Sequence, residues 1–303
     1  MGENTNQNPE PEQDQEQAQV QECASASSCE RGSCEGCPSA GGEGSGTPNP
    51  ATMQAPLNMF SSVKKVIGVV SGKGGVGKSF VTGSLACALQ SAGYMVGIMD
   101  ADITGPSIPK MFGLHGPTKG SELGIFPVHT KNQMPVMSVN LLLDSEEDPV
   151  VMRGPVISGT VKQFWSDVLW GDLDYMFVDM PPGTGDVPLT VFQSLPVDGI
   201  IIVSSPQELV QMIVKKAYNM AQMMDIPVLG LIENFSYMTC PDCGKKLSVF
   251  GESHIEEAAK DIGVPVLGRL PINPVYARLA DEGRFEEVGT DGLQEAVELL
   301  SQL

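Results

Sequence analysis

Two lysines five residues apart, Lys73 and Lys78, stand in the stretch Gly72-Lys-Gly-Gly-Val-Gly-Lys-Ser79. Glycines at 72, 74, 75 and 77 let successive backbone N–H groups converge on one anion. A helix N-terminus directly behind them adds partial positive charge. In such a phosphate loop, which also includes Val76, Lys78 is expected to reach the β- and γ-phosphates of a nucleotide and the Ser79 hydroxyl to bind Mg2+. One lysine suffices for that task. Lys73 lies at the start of the loop, where a side chain tends to point away from its own phosphates. It is well placed to reach a nucleotide held by a facing copy, as an arginine finger supplied in trans does.

Carboxylates follow at intervals. Asp100 and Asp102 stand in Met-Asp-Ala-Asp, and Asp179 opens Asp-Met-Pro-Pro-Gly183-Thr-Gly-Asp186. A lone aspartate after a strand is usually a helix cap or turn residue. Two such sites in order behind a phosphate loop point instead to metal and water chemistry.

Thiols form the third group. Cys240-Pro-Asp-Cys243-Gly places two thiolates within reach of one soft metal centre. Zinc or a [4Fe–4S] cluster needs four ligands, which two such pairs across a two-fold axis supply. Taken alone, the pair fits zinc, an iron–sulfur cluster or a redox dithiol. Cys23, Cys29, Cys34 and Cys37 crowd a polar stretch with nothing to bury them, and suit one [4Fe–4S] cluster, one zinc, or no metal. The seventh, Cys87 in Ser-Leu-Ala-Cys-Ala-Leu, reads as core packing.

These groups must be positioned by the elements around them. Apolar runs at Val66–Ser71, Met95–Asp100, Tyr175–Met180, Gly199–Ser204, Val228–Glu233 and Val266–Leu270 read as buried strands. Amphipathic segments at Lys78–Ala92, Val156–Leu169, Glu208–Met224, Ile255–Ile262 and Leu293–Leu300 read as helices, and Met134–Leu143 as a further strand. Alternation of unbroken apolar strands with helices predicts an α/β fold, a mainly parallel sheet covered on both faces. Ligands bind such sheets beyond the carboxyl ends of the strands, where all the polar motifs fall.

Residues 1–60, rich in Gln, Glu, Gly, Ser and Pro, bury too little apolar surface to order themselves and are expected to be a disordered acidic tail. Residues 61–303 are expected to form the folded domain. The chain carries a net charge of −19, of which residues 1–50 contribute −8. That balance argues against nucleic acid and anionic membranes as partners. With no uninterrupted run of apolar residues long enough to span a bilayer and an acidic start unlike a leader peptide, the expected location is cytoplasmic. His115, His129 and His254 lack ligand spacing and read as surface residues. Met220, Met223 and Met224 are expected to pack on the sheet.

The sequence Lys-Gly-Gly-Val-Gly-Lys-Ser resembles the deviant phosphate loop of the MinD, ParA and nitrogenase iron-protein superclass, in which the first lysine acts across a dimer. Within that superclass KGGVGKS, DADITGPS, MRGPVISG, DMPPGTGD, ENFSYMTCPDCG and LPINP, in order, are similar to the Mrp/ApbC family of iron–sulfur cluster carrier ATPases. The resemblance implies a P-loop NTPase fold, Mg2+-dependent ATP hydrolysis, and a labile [4Fe–4S] cluster shared by Cys240 and Cys243 of two subunits. That cluster would be passed to apo-proteins, with cluster assembly factors as further partners. It also implies Asp102 at the attacking water, Asp100 in the Mg2+ shell, Asp179 in the Walker B position, Gly183 as a γ-phosphate sensor, and Asn234 with the Pro-Ile-Asn-Pro turn beside adenine. Some members carry an amino-terminal ferredoxin-like cluster, with cysteine spacing unlike that of Cys23–Cys37. The family's usual LPxDP is here Leu270-Pro-Ile-Asn273-Pro, which removes a carboxylate. A positioning switch like MinD or ParA would instead need a basic amphipathic end, and Leu-Gln-Glu-Ala-Val-Glu-Leu-Leu is acidic. A zinc-stabilised P-loop ATPase switch is the remaining alternative.

Overall fold

Valine- and isoleucine-rich runs with no polar alternation need cover on both faces, and the computed structural model supplies it. The structure describes residues 54–103, 105–143, 154–183, 185–206 and 210–303. In chain order its elements are β1 (Ser62–Ser71), α1 (Lys78–Ser91), β2 (Val96–Asp100), α2 (Ile108–Phe112), β3 (Gly120–Ser121), β4 (Gly124–Ile125), β5 (Val128–His129) and β6 (Pro135–Met137). There follow α3 (Gly154–Ser166), β7 (Asp172–Asp179), α4 (Asp186–Ser194), β8 (Gly199–Ser204), α5 (Val210–Met223), β9 (Val228–Thr239), β10 (Lys246–Leu247), α6 (Ile255–Ile262), β11 (Val266–Pro271), α7 (Pro274–Asp281) and α8 (Gln294–Leu300).

The main sheet runs β10-β9-β8-β1-β7-β2-β6-β5, with β11 added on β9. It is parallel except where β5 meets β6 and β10 meets β9. β1 sits between β7 and β8. Its side chains alternate between two apolar layers: Val66 and Val70 join Phe164, Trp165 and Val214, whereas Ile67 and Val69 join Leu85, Phe112 and Phe285. From Val66 to Val70 the central strand is therefore unbroken by polar side chains, because there neither of its faces meets water, whereas Lys64 and Lys65 before it are not fully covered.

Parallel register brings the strand ends to one edge. Asp100 pairs with Asp179 across β2 and β7, and Ser204 with Glu233 across β8 and β9. The strands expected from sequence are all present, and Gly199–Ser204 and Ile255–Ile262 fall on the expected bounds. The 134–143 segment is only partly a strand, since a 3-10 turn at Val139–Leu142 follows β6.

The folded unit begins before position 61. Ala55 N–H donates to Ser194 O at 2.8 Å, Trp165 Nε1 donates to Ala55 O at 3.1 Å, and Asn58 is buried. The cysteines at 23, 29, 34 and 37 lie outside the described residues. Cys87 is buried, and the three histidines are exposed. Met220 is buried against the sheet layer, but Met223 is 81 % exposed, one helical step too far round to reach it.

Candidate functional site

The phosphate loop turns from β1 into α1 on backbone that only glycine adopts freely. Gly75 has φ 79° and Gly77 φ 77°. A side chain on Gly77 would also start 2.1 Å from Asn234 Nδ2, so two independent constraints fix that residue. Gly77 caps α1 without any side-chain hydrogen bond, and no acidic residue stands in the first turn. The N-terminal N–H groups of α1 are thus left for an anion. Around them lies a cavity of about 350 Å³ lined by Gly74, Gly75, Lys78, Ser79, Asp102 and Pro182, among others. Nothing stands within 4 Å of where side chains on Gly74 or Gly75 would project.

Lys78 is 6 % exposed, with Nζ 2.9 Å from Asp179 Oδ2 and 3.5 Å from Asp102 Oδ2. Burial opposes its charge, yet Asp179, Asp102 and Asp100 outweigh that and hold it above the usual lysine value. Its ammonium is engaged by these two carboxylates at ion-pair distance, and its three N–H donors are not all satisfied by them. A buried cation with unspent donors at a bare helix N-terminus fits the terminal phosphates of a nucleotide.

The carboxylates converge behind it. Asp179, fully buried, accepts from Ser79 Oγ at 2.5 Å and from Thr82 Oγ1 at 2.7 Å. Asp100 accepts from Ser138 Oγ at 3.1 Å and from the Asp102 amide at 3.1 Å. Burial above all, then the charge of Asp179, pushes the Asp100 carboxyl well above its ordinary range, against the pull of Lys78. Hard oxygen ligands beside a serine hydroxyl suit a divalent cation such as Mg2+, whose charge would relieve that crowding.

Other expected residues fall in different places. Lys73 is half-buried at the mouth of the loop, outside the lining of this cavity. The Gly183 N–H donates to Ser71 O at 2.9 Å, so in this conformation it faces the loop backbone. Asn234 Nδ2 donates to Val76 O at 3.1 Å. The Pro-Ile-Asn-Pro turn lines a second cavity, of about 500 Å³, with Tyr237, Thr239, Pro241 and Tyr276. Phe80, on the wall of the phosphate cavity, stacks on Tyr276 with ring centroids 6.1 Å apart and so links the two. Asn273 caps α7 by accepting the Val275 amide at 3.0 Å.

The cysteine pair occupies the tip of a hairpin between β9 and β10, where Thr239 pairs with Lys246. The Cys240 amide donates to Lys245 O at 2.9 Å and the Gly244 amide to Cys240 O at 3.0 Å, with Gly244 at φ 71° closing the turn. The Cys243 and Asp242 amides, in that order, and then the Cys243 side chain depress the Cys240 thiol below its ordinary value. Cys87 behaves oppositely: burial first, then Glu286, pushes it to about 12. Among the described residues no group of three or more Cys, His, Asp or Glu side chains is arranged to hold a metal. The hairpin therefore offers two thiols and no further ligand of its own.

Sequence reading missed Thr82 and Ser138, which hold Asp179 and Asp100. A threonine one helical turn after Lys78 was the available signal. The final helix is packed rather than free, with Ala296 and Leu300 buried, and no described helix is long and apolar enough to cross a membrane.

Comparison with known proteins gives this geometry its context. A family model described as ParA: NUBPL iron-transfer P-loop NTPase matches residues 62–302. A protein of Clostridium perfringens named iron-sulfur cluster carrier protein is 46% identical over 236 residues, covering 75% of this chain and 83% of its own. A protein of the same name from Methanocaldococcus jannaschii is 49% identical over 227 residues, 74% of this chain and 78% of its own. Among solved structures, a nucleotide-binding protein from Archaeoglobus fulgidus in complex with ADP superposes with TM-score 0.68 at 43% identity, over 74% of this chain and 88% of its own. The MinD of a MinC:MinD complex from Aquifex aeolicus, at 21% identity and TM-score 0.57 over 79% of this chain and 96% of its own, shares the fold. By the extent of the model match and the identity to these relatives, this chain belongs to the ParA-type family of NUBPL iron-transfer P-loop NTPases.

Proposed function

We propose that this protein is an ATP-dependent carrier of iron–sulfur clusters, working as a homodimer that binds a [4Fe–4S] cluster and delivers it to apo-proteins. The observation that carries the reading is the exposed Cys240–Cys243 turn with its depressed thiol, offering half a ligand set in a chain that also holds a complete phosphate loop. Two copies facing each other supply four thiolates, and the names of the relatives agree with a cluster as cargo.

In this reading Lys78 and the N-terminus of α1 bind the terminal phosphates, and Lys73 reaches the nucleotide of the partner. Asp102 orients the attacking water. Ser79, Asp100 and Asp179 hold Mg2+, which when bound neutralises charge on the departing phosphate. Gly183 exchanges Ser71 O for the γ-phosphate, and Asn234 and the Pro-Ile-Asn-Pro turn flank the base. Nucleotide must bind the closed and open pairs with different affinity, since one indifferent to both shifts nothing. Cys23, Cys29, Cys34 and Cys37, in the tail of residues 1–60, would hold a second cluster or a zinc ion within one chain.

The test is anaerobic reconstitution of the full chain with the four tail cysteines changed to serine. About two irons per chain should bind, and C240S or C243S should abolish that binding. One zinc per dimer, unmoved by iron and sulfide, would reject the proposal in favour of a zinc-stabilised switch.

A further inference from the structure

The cysteine hairpin has little of its own to hold it. Every residue from 241 to 254 is exposed, among them Leu247, Val249 and Phe250, and β10 pairs with β9 through only Lys246 and Leu247. Lys246 rests on the Tyr237 ring, 4.1 Å from its centroid, and that contact is at the surface. What ties the hairpin to the core is a buried carboxylate.

Glu233 has no exposed surface. A carboxylate so placed ordinarily needs a cation or a metal. Among the described residues neither lysine nor arginine pairs with it. It accepts instead from two hydroxyls, Ser236 Oγ at 2.6 Å and Ser253 Oγ at 2.6 Å. The two bonds differ in reach. Ser236 lies on the same strand, so its bond is local. Ser253 lies beyond the cysteine turn and β10, where the chain returns to α6, and its hydroxyl also accepts the Ile255 amide at 3.3 Å. The Ser253–Glu233 bond therefore closes the hairpin at its base.

The residues that follow Glu233 touch the other site. Asn234 holds Val76 O, and its Nδ2 fills the space a side chain on Gly77 would need. Phe235 has φ 60°, a left-handed conformation that costs a non-glycine residue energy, and its amide donates to Asn234 Oδ1 at 3.0 Å. Its ring lies 3.4 Å from the same point beside Gly77. Three consecutive residues thus face the hairpin base, the loop carbonyl and the glycine that caps α1.

We infer that Glu233, through its bond to Ser253, is a positioning residue that couples the phosphate loop to the cysteine turn. A shift of Val76 and Gly77 on nucleotide exchange moves the segment that also anchors the hairpin, and so reorients Cys240 and Cys243. This rests on the nucleotide-gated cycle proposed above.

Thiol reactivity reads the coupling without any cluster. In the full chain with the four tail cysteines as serine, Cys243 is exposed, Cys240 is half-buried and Cys87 is buried. Their alkylation by iodoacetamide, metal-free and reduced, is to be compared with Mg2+ and a non-hydrolysable ATP analogue against Mg2+ and ADP. The parent should differ between the two by about fivefold or more. Ser253→Ala should lose most of that difference, and Ser253→Thr, which keeps the hydroxyl, should retain it. Ser236→Ala removes an equal hydrogen bond from the same carboxylate and should leave the difference intact, which separates coupling from lost stability. A parental response in Ser253→Ala, or its equal loss in Ser236→Ala, would overturn the inference while sparing the cycle. A parent indifferent to nucleotide would overturn both.

Discussion

Asp100 carries a cost that the resting protein does not need to bear. It is buried beside Asp179, and both effects raise its carboxyl above the ordinary value of 3.8. A carboxylate raised in the folded state leaves the native protein binding more protons than the unfolded chain, so stability falls as pH rises through that window. Asn in its place can still accept the Asp102 amide and donate to Ser138 Oγ, removing the charge while keeping both bonds. Asp100→Asn should therefore stabilise the nucleotide-free protein at pH 7 by on the order of 1 kcal/mol. The gain should shrink as pH falls through that window, because the folded carboxyl takes up its proton first, and should vanish only below the unfolded value of 3.8. Urea unfolding of both proteins at pH 7 and pH 5 checks this, alongside the loss of nucleotide turnover expected if the residue holds Mg2+. A destabilised variant at pH 7 would show that Lys78 needs this charge more than Asp179 resists it.

The elements were legible from sequence where burial alone decides them. β1 from Val66 to Val70 and β8 from Gly199 to Val203 are apolar because both faces are covered there, and their expected carboxyl ends, with the phosphate loop following β1, needed no tertiary information. Legibility failed where neighbours decide. β9 runs six residues past the expected end at Glu233, through Asn-Phe-Ser-Tyr-Met-Thr, because Pro271 of β11 and Leu247 of β10 pair with that polar stretch. α4 opens on Asp-Val-Pro, which has no strong helix preference of its own, whereas α7 carries a readable start in Asn273 as cap and Pro274 in the first turn. The side-chain partners of Asp100 and Asp179 lie just past β6, at Ser138, and inside α1, at Ser79 and Thr82, a matter of register that no local motif announces. Asn273 shows the same lesson from the other side. Its missing charge raised a question about function, whereas the structure uses the side chain as a cap that Asn and Asp fill equally. Asn273→Asp should leave stability within about 0.5 kcal/mol, and Asn273→Ala should cost about 1 kcal/mol, as measured by urea midpoints. If the Asp variant instead changes nucleotide affinity severalfold with no change in midpoint, the charge matters at the cavity it lines and not to α7.

At the scale of the whole molecule the proposed pairing must overcome charge. Each copy carries −19, of which residues 1–50 contribute −8. Like charges of that size repel over distances that salt screens, since the Debye length shrinks from about 30 Å at 0.01 M to about 8 Å at 0.15 M. The contacts available to offset this are short-ranged: the nucleotide sites, the cysteine turn and the exposed apolar side chains Leu247, Val249 and Phe250 beside it. Association in the presence of Mg2+ and a non-hydrolysable ATP analogue should therefore strengthen as salt rises from low to physiological concentration. That trend is opposite to the one a protein held to its partner by complementary charge would show. Removing residues 1–50 leaves −11 and reduces the product of the two charges to about a third, so the salt dependence should flatten in that variant. Sedimentation equilibrium of both chains across a salt series measures it directly. Weaker association at higher salt would place oppositely charged groups, rather than thiols and apolar side chains, at the centre of the interface.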